Sequence, residues 1–289
     1  AENEEGYPTE FSGKVSTSAT LSDSKLIWGA SEESNSAILG TESSAGFNFD
    51  FRGWKIDKIT FNVKSFQLGV VGSQTKISVK DIDLVASGGY FHAQINFTEG
   101  EEFEVTGLEN LKQAYNRDFF SYNEETGKLT FLRKSGAWDI YYSPTINYIW
   151  VVRMGDTAPT CYWIVGHGFT SAPVWNEMYS TGGWDTDDIS KLAYVVPIGN
   201  QKYQASMYIS TDHEWSSFEF EIYSNLDSGK DKGILLKEGS ISGYTTGIAV
   251  SGSNGVTSSE EFVPGYYRLT FDVSAGVGNE TLFIERIGD

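Results

Sequence analysis

In the last two-fifths of the chain, Trp175, Tyr179, Trp184, Trp215 and Tyr244 stand among short polar side chains: Asn176, Glu177, Asp185, Asp187, Asp188, Asp212 and His213. A flat ring face packs against the polarised C–H face of a sugar, and carboxylates, amides and imidazoles at its rim take up the hydroxyls. The chemistry on offer is stacking plus hydrogen bonding to a saccharide. Trp175 and Trp184 fall in the stretch 166–188, a loop rich in Gly, Ser, Trp and Asp whose length in a compact β-domain points to function. They are read as platforms, with Trp215 and Tyr244 as flanking rings and Asn176, Asp185, Asp212 and His213 as rim partners. The competing reading is that each Trp plugs a core, since Trp is highly buried on average. For Trp163, inside the apolar run Tyr162-Trp-Ile-Val165, the core reading is taken.

Other chemistries find less support. Hydrolysis of a glycosidic bond needs two carboxyl groups about 5 to 9.5 Å apart. With 39 acidic residues some pair would always fit, so their abundance discriminates nothing. Nucleophile elbow, His-Glu-x-x-His helix and glycine-rich phosphate loop are all missing from the sequence. Asp185-Thr-Asp-Asp188 lacks the Gly and distant Glu of an EF-hand and is read as a solvated loop. His92, His167 and His213 lie in separate segments without a second ligand at zinc spacing. Neither a metal, a cofactor nor catalysis is expected.

The formal net charge of -18 argues against nucleic acid, because phosphate binding requires clustered Lys and Arg. No apolar run approaches the roughly 20 residues that span a bilayer. The single cysteine, Cys161, forbids an internal disulfide framework and is read as a small buried apolar residue. The polar start, Ala1-Glu-Asn-Glu-Glu-Gly6, has neither a basic n-region nor an apolar h-region. It reads as the tether of an exported protein whose signal peptide has been removed.

The elements that must carry these residues are strands. Ile56 to Phe66 and Thr75 to Leu84 alternate apolar and polar residues at period two, with Gly69 to Gly72 expected as the turn between them. Leu108, Leu111 and Tyr115 stand at helical spacing and predict one short helix. Ser251 to Glu260 reads as plain surface. A pattern of strand-length pieces is also written twice. Tyr90 to Phe97, Gly100 to Val105, Gly136 to Tyr142 and Asn147 to Arg153 are followed in the same order by Tyr203 to Ile209, Phe218 to Ile222, Pro264 to Asp272 and Thr281 to Arg286. Three domains are therefore expected: an N-terminal β domain over 1–85, a small sandwich over 86–155 as first repeat, and a larger sandwich over 156–289 as second repeat. The fold class is all-β, tandem β-sandwich domains of immunoglobulin-like or carbohydrate-binding-module-like type.

Four segments of the second repeat, Trp163-Ile-Val-Gly-His-Gly168, Gly182-Gly-Trp184, Phe218-Glu-Phe220 and Pro264-Gly-Tyr-Tyr-Arg-Leu-Thr-Phe-Asp272, resemble the carbohydrate-binding modules of SusE/SusF-type outer-membrane lipoproteins. In the first repeat, Tyr115 to Phe120, Thr130 to Gly136 and Tyr148-Ile-Trp150 resemble domains encoded in the same kind of polysaccharide-utilisation locus. Residues 1–85 match no family pattern. The resemblance implies a non-catalytic, surface-exposed outer-membrane lipoprotein, anchored through a residue upstream of this sequence. Such a protein holds a polysaccharide or oligosaccharide beside a TonB-dependent, porin-type transporter and its companion lipoprotein. The sequence departs from the family pattern where Glu219 stands between Phe218 and Phe220 and where Trp215 precedes rather than follows them. A structural or adhesive spacer and a glycoside hydrolase are the alternatives.

Overall fold

The computed structural model describes residues 76–87, 90–175, 184, 186, 188–227, 231–259 and 261–289, and within 1–75 the strands alone. The protein is all-β, and its chain divides into two compact units. The first comprises Ala1–Ile77 with Ala86–Tyr90, and the second Ser78–Val85 with Phe91–Asp289.

In the first unit Trp54–Asn62 and Gln67–Gln74 form an antiparallel hairpin. Gly69 and Gly72 therefore lie inside a strand and not at the expected turn. Ile27–Ala30 pairs with Val15–Ser16 on one side and with Ala37–Gly40 on the other. Glu10–Gly13 pairs with Phe47–Asp50.

The second unit opens with a correction to the strand expected over Thr75 to Leu84. Ser78–Val79 and Ile82–Asp83 pair across Lys80 and Asp81, whose φ of 52° and 61° are those of a two-residue primed turn. Such turns match the twist of the strands that they join. The expected helix shrinks to a single 3-10 turn, Leu111–Gln113. Asn110 just before it is left-handed at φ 50°, and Tyr115 just after it bridges to Ile149, so extended backbone replaces further helical turns.

Tyr90–Phe97 pairs antiparallel with Gly136–Ser143, which pairs with Tyr148–Val152. Lys202–Ile209 pairs in the same way with Gly265–Asp272, which pairs with Thr281–Gly288. In both segments the second piece of the written pattern leaves for another sheet: Glu102–Phe103 joins Leu129–Phe131, and Glu219–Tyr223 joins Tyr162–His167. Pairing order is thus the same in the two segments, although both lie in one compact unit.

The larger segment is a sandwich whose two sheets share the strand Leu192–Gly199. Its first half pairs with Tyr162–His167 and its second half, beyond Val195, with Lys202–Ile209. A register shift between Pro197 and Gly199 follows the crossing, and bulges of this kind are common where a strand turns a sandwich corner. Between the sheets lie Ile164, Phe220 and Ile222 from one side and Met207, Leu269, Phe271, Leu282 and Ile284 from the other. Each alternates with outward residues in its strand, which is the period-two signal made physical. Val256–Ser258 completes a hairpin with Ile248–Val250 and adds to Glu219–Tyr223, so part of the stretch read as plain surface is sheet.

The smaller segment packs against part of the outside of this sandwich. Phe119 and Trp138 pack on Tyr194 at ring-centroid distances of 5.7 and 5.9 Å, and Tyr194 meets Trp163 edge-on at 5.0 Å. Asp156 ties the seam together: its carboxylate accepts the Tyr194 hydroxyl at 2.5 Å and its carbonyl accepts the Trp163 indole N–H at 3.0 Å. Asp118, only 2% exposed, accepts bonds from the Gln204 amide at 2.7 Å, the Ser206 N–H at 2.5 Å and the Ser206 hydroxyl at 2.8 Å. Ser206, on the outward side of Lys202–Ile209, is thereby buried with its hydrogen bonds made. Cys161 is buried as expected, and burial pushes its thiol up to about 12.

Candidate functional site

Gly166-His-Gly168 ends the strand Tyr162–His167 at a tight approach. A Cβ on Gly166 would stand 2.1 Å from the Glu219 carbonyl oxygen, and one on Gly168, at φ 79°, would stand 2.3 Å from the Phe218 Cβ. Only glycine admits that contact. The two glycines press the chain onto Phe218 and Phe220 and leave His167 between them, half-buried, on the opposite side of the backbone. Phe169–Thr170 then pairs with the end of Lys202–Ile209, setting Thr170 opposite Tyr208. From there the chain reaches Trp175.

The second wall is the loop 210–217. It is anchored at its start by the Ser210 N–H donating to the Gly168 carbonyl at 2.9 Å and by the Asp212 N–H donating to the Ser210 hydroxyl, also at 2.9 Å. His213 and Ser216 close a turn, the Ser216 N–H donating to the His213 carbonyl at 2.9 Å with Ser216 at φ 48°. Inside that turn the Trp215 N–H donates to Nδ1 of His213 at 3.4 Å.

These elements gather five rings. Trp175 lies 6.3 Å from Tyr208 and 5.8 Å from His213, tilted by 41° and 32°. Trp215 meets His167 edge-on at 4.6 Å and His213 at 5.8 Å. Trp215 is 45% exposed, so the cluster offers a ring to solvent. Asp212 and Glu214 are exposed beside it, and Ser217 places its hydroxyl 3.5 Å from Nε2 of His167. Burial and the neighbouring His213 hold the His167 imidazole below its ordinary range of protonation, against a smaller opposing pull from Glu219. An uncharged imidazole both donates and accepts, which suits hydroxyl partners.

Of the residues singled out from sequence, the fold brings together Trp175, Trp215 and His213, with Asp212 in the same loop. Trp184 is 38% exposed. Asn176 and Asp185 lie outside the described residues. Tyr244 stands apart: it packs on Tyr267 at 5.5 Å along the edge of the sandwich core. Next to it Thr245 lines an open groove of about 690 Å3 with Ile241, Ile248, Val250 and Asn254. That groove has no aromatic wall and so offers no face for stacking.

Sequence reading missed Tyr208 and His167. Tyr208 carried a signal, since alternation in Tyr203-Gln-Ala-Ser-Met-Tyr-Ile209 turns Tyr203, Ala205, Met207 and Ile209 inward and Tyr208 outward. His167 and His213, distant in sequence, come to a centroid separation of 5.8 Å. Among the described residues no group of three or more His, Cys, Asp or Glu side chains is arranged to hold a metal ion. Asp188, at the end of the acidic stretch 185–188, caps the 3-10 turn Ile189–Lys191, accepting the Ser190 N–H at 3.0 Å.

No protein-family profile matches this chain, and no curated protein matches it. Among solved structures it is similar to SusF from Bacteroides thetaiotaomicron, at 10% identity over 96% of this chain and 69% of that one, with a TM-score of 0.29. No described helix is long and apolar enough to cross a membrane.

Proposed function

We propose that this chain is a non-catalytic, cell-surface glycan-binding protein, and that its site is the ring cluster of Trp175, Tyr208, His213 and Trp215 with His167 behind them. The observation that carries the reading is the cluster itself: rings from two loops and a strand end, one nearly half open to solvent, with carboxylates and imidazoles at the rim. Stacking on one aromatic is worth roughly 1 to 3 kcal/mol at most for a flat ligand, so a useful site needs several rings and rim hydrogen bonds together. Asp212 and Glu214 accept hydroxyl hydrogens in this scheme and transfer no proton to the glycosidic oxygen.

The SusE/SusF-like segments of the sequence supply the setting. The ligand is a polysaccharide or oligosaccharide, held at the outer membrane by a lipid-anchored protein and passed to a TonB-dependent transporter. Affinity electrophoresis across plant and host polysaccharides, followed by isothermal titration with the best ligand, tests the scheme. Trp215→Ala and Trp175→Ala are each expected to weaken binding about tenfold, or ~1.4 kcal/mol. Unchanged affinity in both variants with circular dichroism intact would remove the site from this cluster, and turnover of a glycan by the pure protein would end the non-catalytic reading.

A further inference from the structure

The site contains a hydrogen bond that only one protonation state of a histidine can make. The Trp215 N–H points at Nδ1 of His213, so Nδ1 must carry a lone pair and the ring's proton must sit on Nε2. Among the described residues, the buried Nε2 of His213 has no hydrogen-bond partner. With Nε2 already protonated, a second proton can add only at Nδ1. At Nδ1 it would turn an acceptor into a donor facing another donor.

We infer that His213 is a positioning residue: its neutral imidazole fixes the backbone of Trp215 and so aims the most exposed ring of the site, and acid releases that ring. Calling the ring a binding platform rests on the function proposed above, whereas the coupling of His213 to Trp215 does not.

The surroundings decide how strongly the coupling is felt. From the strand Tyr162–His167, the His167 ring faces His213 at 5.8 Å and adds repulsion to any charge placed there. From the loop after Thr170, the uncharged Trp175 ring faces it at 5.8 Å. From its own loop come Trp215 at 5.8 Å and the adjoining carboxylates of Asp212 and Glu214, both exposed and so largely screened. Glu219, opposite His167 in the sheet register, pulls on His167. Residues 166–188 and 208–219 contain no Lys or Arg.

Once Nδ1 is protonated, the turn keeps the bond from Ser216 N–H to the His213 carbonyl but loses the one that orients Trp215. The loop then stays attached while its ring swings. An asparagine at 213 provides the discriminating variant, because its side-chain oxygen accepts the N–H two residues on and cannot be protonated in this range.

The test needs no ligand. Nitrogen-15 spectra and amide hydrogen exchange of the full chain are followed from about pH 8 to about pH 5, the range in which histidine titrates. In the wild type the Trp215 backbone and indole signals should move with the His213 ring signals. After correction for the intrinsic pH dependence of exchange, the Trp215 amide should lose about tenfold in protection across the transition. His213→Asn should hold that protection level throughout, and His213→Ala should lack it at every pH. Titration of Trp215 in His213→Asn as in the wild type would overturn the inference. So would a Trp215 amide that stays fixed while the His213 ring titrates. Failure here would leave glycan binding untouched, and failure of glycan binding would leave the coupling standing.

Discussion

Two aromatic regions of the second unit use the same residue types to opposite ends. In the seam between its segments, Phe119, Trp138, Trp163 and Tyr194 meet edge to face and are all but buried. Their polar atoms are spoken for: the Trp138 indole donates to the Lys134 carbonyl at 3.2 Å, and Trp163 and Tyr194 both donate to Asp156. At the candidate site, Trp175, Tyr208, His213 and Trp215 make comparable ring contacts, yet Trp215 keeps 45% of its surface open and His213 keeps a buried nitrogen without a partner among the described residues. Ring contact alone therefore does not separate core from site. The separating property is whether the fold has used up each ring's faces and polar atoms.

The sharpest way to break that contrast is Trp163→Ala. It leaves a cavity in the seam and strands the Asp156 carbonyl, and about 3 to 5 kcal/mol of stability should be lost, as for large-to-small changes in packed cores. Urea unfolding measures this. A cost near that of Trp215→Ala would mean that the seam is no better packed than the site.

A smaller effect distinguishes the two regions by pH. Because His167 in the folded protein is held below its ordinary pKa of about 6.5, the unfolded chain binds the proton first. Its neutral form contributes fully above that value, and stability falls as pH drops below about 6.5, levelling once the folded protein is also protonated. The seam contains no histidine, so His167→Asn should flatten the dependence of melting temperature on pH between about 7 and 5. An unchanged slope would place the titrating group elsewhere. The smallest effect is expected at Tyr244. Tyr244→Phe keeps the ring contact with Tyr267 and should leave glycan affinity within about twofold, a difference of ~0.4 kcal/mol. A tenfold loss would shift the site toward the groove beside Thr245.

Much of the architecture was legible because a half-buried strand must alternate. Lys202–Ile209 and Gly265–Asp272 show inward Met207, Leu269 and Phe271 directly as a period of two. Local signals failed where several structures share one pattern. Leu108, Leu111 and Tyr115 have helical spacing, but the bridge from Tyr115 to Ile149 is made 34 residues away and lies beyond any local window. Gly69 and Gly72 suggested a turn, since glycine permits one, yet glycine also sits in strands.

The sequence by itself determined the all-β class and the apolar cores, because each follows from residue type and short-range spacing. Tertiary structure alone decided which rings stay open. Burial depends on what arrives from elsewhere in the chain: Phe119 and Trp138 arrive at Tyr194, and Asp118 arrives at Ser206. Over Trp215 no such cover is complete, and His167, brought from 48 residues away, meets it edge-on from one side. A tryptophan carries the same code in both places, and its role is set by the partners that long-range pairing delivers.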